Sequence, residues 1–142
     1  MILVDVNLLI YAVNTGAPSH RKAKAWLEAA VSGTETVGLP WIVLLAFLRL
    51  ATRPGLFQKP LPVETAFGLV GEWLKQPSVT VPEPTAHHFR TLRDLVLPVG
   101  TAGNLTSDAH LAALAIEHGA GLCSTDTDFA RFTALKWRNP LA

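Results

Sequence analysis

"MILVDVNLLIYA", Met1 to Ala12, joins two incompatible tendencies. Ile2, Leu3, Val4 and Val6 are β-branched or apolar without alternation, the pattern of a strand buried on both faces. Asp5 interrupts that run, and a lone carboxylate there is costly unless it is paired, hydrogen-bonded or metal-bound. From Asn7 the stretch "NLLIYAVN" turns toward helix. Asp5 could therefore cap that helix or face a buried arginine. It could also belong to a ligand crevice, which in an open parallel sheet lies at the carboxyl ends of the strands.

The rest of the chain decides which architecture surrounds it. "APSHRKAKAWLEAAVSG" is a helix with Ala23, Trp26, Leu27 and Ala30 as its apolar stripe and Gly33 past its end. "TVGLP" is a short second strand, and Pro40 opens the helix "WIVLLAFLRLAT", which stops before Pro54-Gly55. "PVETAFGLVGEWLKQ" is amphipathic and helical, "SVTVP" a third strand, and "TAHHFRTLRDLVLPV" a further helix. The loop "GTAGN", Gly100 to Asn104, leads to the helix "LTSDAHLAALAIEHG" with Gly119 as its stop. That loop is either a plain connector or a segment able to flex over a site. "AGLCS" is the fourth strand and "ALKWRN" a short fifth. Strands alternating with helices predict an α/β fold with a mainly parallel central sheet of four to five strands flanked by helices. No repeat, low-complexity tract or linker divides residues 1–142, so a single domain is expected.

The totals narrow the function classes. With 142 residues the chain can bury a real core, and 49% hydrophobic against 16% charged residues excludes disorder. Net charge is +1, so polyanion binding would rest on local patches. The single cysteine, Cys123, cannot form an internal disulfide and suits a reducing compartment. The amino terminus lacks a basic n-region, and the longest apolar run, "WIVLLAFL", falls well below the ~20 residues of a membrane span. A soluble, cytoplasmic protein without a membrane partner is the expectation.

Asp5 has company. Asp126 and Asp128 in "LCSTDTDFARF" follow the fourth strand, and Asp108 opens the most apolar helix. Singly, each has a bland role: Asp108 as a complement to the helix dipole, Asp126 or Asp128 as an N-cap. Together they form three segments that each deliver acid beside apolar sequence, with no obvious cation opposite. Two carboxylates ~4 Å apart repel by about 4 kcal/mol at an effective dielectric of ~20. Something positive must hold such a cluster. Carboxylates without paired Cys or His ligands suit Mg²⁺ or Mn²⁺ over zinc. His110, two residues from Asp108, points elsewhere on a helix. There is no P-loop and no Ser-His-Asp arrangement, and a hard cation held by acids suggests phosphodiester chemistry.

The residues Asp5 in "VDVNLLIYA", Asp108 in "NLTSDAHLAALAIEHGAGL" and Asp126/Asp128 in "CSTDTDFARF" resemble the motifs of PIN-domain nucleases, more narrowly of VapC toxins of type II toxin–antitoxin modules. The resemblance runs over essentially the whole chain. It implies a PIN-like fold and a Mg²⁺- or Mn²⁺-dependent endoribonuclease, restrained by a VapB-like antitoxin and usually a homodimer. It places Asp5, Asp108, Asp126 and Asp128 in the catalytic site, with Asp5, Asp108 and Asp126 as metal ligands. Asn7 and Ser124 match positions where the family puts polar supporting groups, Ser124 orienting a carboxylate or a metal-bound water. One departure stands out. The family commonly has a glutamate in the central helix, where this chain has Ala46.

Arg21 and Lys22 at one helix start, and Arg49 and Arg53 four apart on one helix face, are the candidate RNA contacts, with Arg90, Arg93 and Arg131 further options. Each is otherwise a solvated charge. Trp41, Phe47 and Trp73 are read as core, with surplus apolar surface left for a second copy or the antitoxin. Two rival functions remain in view. One is a silent binding module for RNA or a partner peptide, favoured by Ala46. The other is a phosphotransferase with Asp5 as nucleophile, disfavoured because Asn7 stands where its second acid belongs.

Overall fold

The described residues form five strands and six α-helices in the order β1 (Ile2–Val4), α1 (Val6–Val13), α2 (His20–Ser32), β2 (Val37–Gly38), α3 (Trp41–Thr52), α4 (Val63–Lys75), β3 (Val79–Thr80), α5 (His88–Val96), α6 (Thr106–Glu117), β4 (Gly121–Cys123), β5 (Trp137–Arg138). This is a computed structural model that describes residues 1–100 and 103–142, with Asn104 by its backbone alone. Thr101 and Ala102 of the loop "GTAGN" lie outside the described residues.

All strand pairs are parallel, and the sheet order is β3-β2-β1-β4-β5. The α/β expectation holds. β1 occupies the centre because Leu3 and Val4 are fully buried and Ile2 nearly so, the only arrangement that uses an unalternating apolar strand. Gly38 in β2 allows close approach: a Cβ there would meet Leu3 Cδ1 at 3.0 Å and Pro82 Cγ at 3.1 Å.

The chain runs outward from β1 through β2 to β3, then returns to the other side of β1 for β4. The order therefore reverses between β1 and β4, the place where open α/β sheets form their crevice. Register makes that edge specific. Val4 pairs with Cys123, so Asp5 and Ser124 emerge side by side, and Asp5 N donates to Cys123 O at 3.0 Å.

Helices pack in two sets, α1 with α2 and α3 and α3 with α4 in one, α5 with α6 in the other. Phe47 of α3 is fully buried and meets Trp73 edge to face at 4.9 Å. Trp41 corrects the expectation of a core residue. It is 49% exposed, because at the first position of α3 its ring lies outside the stripe formed by Val43, Leu44 and Phe47. No described helix is long and apolar enough to cross a membrane.

α5 has no buried residue and is held by a polar clasp. Glu117 of α6 accepts from Thr85 N at 3.1 Å and Thr85 Oγ1 at 2.5 Å, and its other oxygen meets His88 Nδ1 at 2.5 Å. His88 Nε2 in turn meets His110 Nδ1 at 2.9 Å. Burial pushes the Glu117 carboxyl up, but the donors from Thr85 and His88 outweigh it and hold it below its ordinary value of 4.5.

Glu117→Ala should destabilise the fold by on the order of 3 kcal/mol in urea unfolding, since it strands the donors of Thr85 and His88. The sign of the pH effect follows from the lowered pKa. The stabilisation is full above about pH 4.5 and is lost as pH falls through the folded value, so the gap between wild type and Glu117→Gln should close in acid.

Candidate active site

The end of β1 and the turn after β4 are tied by one hydroxyl. Ser124 is fully buried; its Oγ donates to Asp5 Oδ2 at 2.7 Å and accepts from Asn7 Nδ2 at 3.2 Å and Asp126 N at 3.0 Å. Its backbone is fixed too, with N donating to Arg138 O and O accepting from Trp137 Nε1. Three segments of sequence thus share one buried oxygen. Asn7 Oδ1, also buried, accepts no hydrogen bond among the described residues.

Two of the acids also cap helices. Asp5 is the N-cap of α1, its Oδ1 accepting from Val6 N at 2.8 Å. Asp126 caps a 3-10 turn, Thr127–Arg131, its Oδ1 accepting from Asp128 N at 2.9 Å. Capping and clustering turn out to be one arrangement: each cap fixes the carboxylate's rotamer at the shared edge. Asp108 stands in the first turn of α6 and has no side-chain cap to make.

Asp108, Asp126 and Asp128 each place a carboxylate oxygen within 4.8 Å of the other two. Asp5 is set one step behind, with both oxygens engaged by Val6 and Ser124, yet it lines the same cavity as Asp108. Asp128 therefore groups with Asp108 and Asp126 more closely than Asp5 does. The sequence expectation of no nearby cation needs one correction, since Arg131 Nη2 lies 3.9 Å from Asp128 Oδ1. Both side chains are at least half exposed, and such a contact neutralises little.

The electrostatics agree with crowding. The Asp108 carboxyl is pushed up to about 6, first by burial and then by the charges of Asp126, Asp5 and Asp128. Asp5 is also raised, by burial against the opposing bonds from Ser124 and Val6, with Asp126 adding repulsion.

A cavity of about 340 Å³ opens beside the acids, lined by Asp5, Ser107 and Asp108 and by Ile42, Leu45, Ala46, Arg49 and Leu50 along α3. Ala46 lines this cavity with Asp5 and Asp108 and brings no acid to it. Arg49 lies on this wall, whereas Arg53 does not share its helix face. α3 ends at Thr52, and Arg53 has extended backbone (φ −111°, ψ 157°), because Pro54 excludes helix at the residue before it. Arg21 and Lys22 are exposed in the first turn of α2 and line no part of the cavity. Arg93 contacts Asp94, Arg90 contacts His87, and His110 turns away to His88.

The PIN domain family profile matches residues 2–135. The chain is 49% identical over 142 residues to Ribonuclease VapC37 of Mycobacterium tuberculosis, covering 100% of this chain and 99% of that protein. It is 46% identical over 141 residues to Ribonuclease VapC33 of the same organism, covering 99% of each. Among solved structures, VapBC2 from Rickettsia felis bound to a promoter DNA fragment superposes with TM-score 0.70 at 20% identity, covering 98% of each chain. VapBC-1 from nontypeable Haemophilus influenzae gives TM-score 0.69 at 18% identity over 100% of each. With its acids gathered at the β1/β4 edge and this similarity along nearly its full length, the chain belongs to the PIN-domain family, in its VapC branch.

Proposed function

We propose that this chain is a toxic endoribonuclease, dependent on Mg²⁺ or Mn²⁺ and neutralised by a VapB-like antitoxin. The convergence of Asp108, Asp126 and Asp128 carries the reading, in a chain nearly half identical to a named ribonuclease. An all-oxygen donor set fits a hard divalent cation, and Asn7, which donates to the Ser124 hydroxyl bound to Asp5, keeps a buried Oδ1 without a hydrogen bond among the described residues. Asp108, Asp126 and Asp128 would hold the ion, with Asp5 joining directly or through water. Such an ion, when bound, supplies Lewis-acid stabilisation for charge developing on a phosphodiester and eases deprotonation of the attacking water.

The protein's own groups prepare that chemistry. Ser124 and Asn7 act as positioning residues, holding Asp5 and the Asp126 turn at fixed separation. Asp108, with its pKa near 6, is largely ionised at pH 7 and accepts cationic charge there. Arg21, Lys22, Arg49 and Arg53 remain the candidate RNA contacts, of which Arg49 is the one beside the acids. Exposed Trp41, Val63 and Phe67 on α3 and α4 supply apolar surface for a homodimer or the antitoxin. The buried, unpaired Cys123 is consistent with a cytoplasmic location.

One observation favours a second reading, a module that binds RNA without cutting it. Ala46 leaves the cavity wall short of an acid. Cleavage of total cellular RNA by purified protein, with Mg²⁺ or Mn²⁺ and with or without co-purified antitoxin, decides between the two. Cutting abolished by EDTA and by antitoxin sustains the nuclease; binding without cutting under every metal condition sustains the module.

Asp108→Asn should lower cleavage by at least about 100-fold while leaving the fold intact by circular dichroism. The raised pKa also fixes a stability sign. The folded site retains its proton from about pH 4 to about pH 6 after the unfolded chain has released it, so the metal-free fold loses stability as pH rises through that window. Without metal at pH 7, Asp108→Asn should melt above wild type, and Mg²⁺ should raise the wild-type midpoint far more than the variant's. Ser124→Ala should cost about 1–3 kcal/mol and weaken Mg²⁺ binding about 10–100-fold, read by calorimetry, because Asp5 and Asp126 lose their common anchor.

A further inference from the structure

Of the basic side chains, Arg49 alone lines the cavity that Asp5 and Asp108 also line. It is exposed, and the ion pairs among the described residues involve the amino terminus, Lys24, Lys75, His88, Arg93 and Arg131, but not Arg49. A guanidinium that shares a cavity with two carboxylates and pairs with neither keeps its five donors available. Ala46, three residues earlier on the same helix, lines the same cavity with a side chain of one carbon. The remaining wall is apolar, formed by Ile42, Leu45, Leu50 and Leu111. At about 340 Å³ the cavity sits at the small end of the ~300–1,000 Å³ range of ligand sites, room for one nucleotide unit and not for a duplex.

We propose that Arg49 is the substrate-positioning residue of this cavity, its guanidinium gripping an RNA phosphate adjacent to the scissile one while Ile42, Leu45 and Leu50 receive the attached nucleoside. The assignment rests on the nuclease reading and adds to it a seat for single-stranded substrate. Planar guanidinium and phosphate match through two parallel hydrogen bonds, which sets direction as well as attraction. An unstacked nucleoside against the aliphatic wall follows the way proteins take single-stranded RNA, by burying splayed bases. A cation in the last turn of α3 also suits the helix dipole, so the deciding readout is RNA and not stability.

The test measures binding of a labelled single-stranded RNA oligonucleotide in EDTA over a salt series, together with steady-state cleavage in Mg²⁺. Arg49→Ala should weaken binding about tenfold and lower the logarithmic salt slope by about 0.7. It should raise KM while kcat stays within about threefold, the signature of contact already made in the bound ground state. Arg49→Lys should restore the salt slope but only part of the affinity, because an ammonium lacks the fork. Lys75→Ala, which removes the same charge from the end of α4, should change neither. Arg49→Ala with unaltered affinity, salt slope and KM overturns the assignment while leaving a cutting enzyme intact. Wild-type protein that binds RNA through Arg49 without cutting retains the assignment and removes the nuclease, and protein that neither binds nor cuts removes both.

Discussion

Like-charged carboxylates drawn to one edge of a sheet repel each other, and the fold has to absorb that cost locally. It does so with hydrogen-bond donors in place of positive charges. Val6 N and Asp128 N each donate to an acid, and the buried Ser124 hydroxyl links Asp5 to the Asp126 turn. Donation from a backbone N–H stabilises an ionised carboxylate without neutralising it. Donors of this kind leave the acids' charge available to a cation. An arginine paired with each acid would have produced a more stable, chemically idle edge.

Much of this was readable from residue type and order. The unalternating run Ile2–Val4 required a central strand, and alternation with helices required a parallel sheet, so acids following β1 and β4 had to share an edge. What composition and spacing could not supply is distance. Asp128 joins Asp108 and Asp126 more closely than Asp5 does because Asp5 spends both oxygens on Val6 and Ser124, a fact of rotamers invisible in a string of letters. Arg53 was paired with Arg49 on helical spacing alone, although Pro54 already signalled that the helix would end before it. Trp41 failed for a different reason. Size favours burial, but position on the helix decides it, and Trp41 lies off the buried stripe.

Ala46 connects the acids to the rest of the cavity. With no carboxylate on that wall, the charge balance there is set by Arg49, and the cavity runs from negative at Asp5 and Asp108 to positive along α3. A phosphodiester chain can satisfy both ends at once, one phosphate toward the acids through a cation and another toward the guanidinium. A small molecule with a single anionic group could satisfy only one. The departure from the family pattern thus narrows what the cavity can hold, whatever it does to the number of ions.

α6 carries two acids whose environments push them in opposite directions, and the contrast separates structure from chemistry. Glu117, near its end, is 2% exposed, but Thr85 N, Thr85 Oγ1 and His88 supply donors enough to keep it ionised. Its pKa is lowered, and it has nothing left to offer a ligand. Asp108, in the first turn, has no side-chain donor of its own and feels the charges of Asp126, Asp5 and Asp128. Its pKa rises to about 6, which marks unspent interaction energy that a divalent cation can recover. Burial pushes both carboxyls upward, so it does not distinguish them. The direction of the shift, set by what surrounds each acid, points to Asp108.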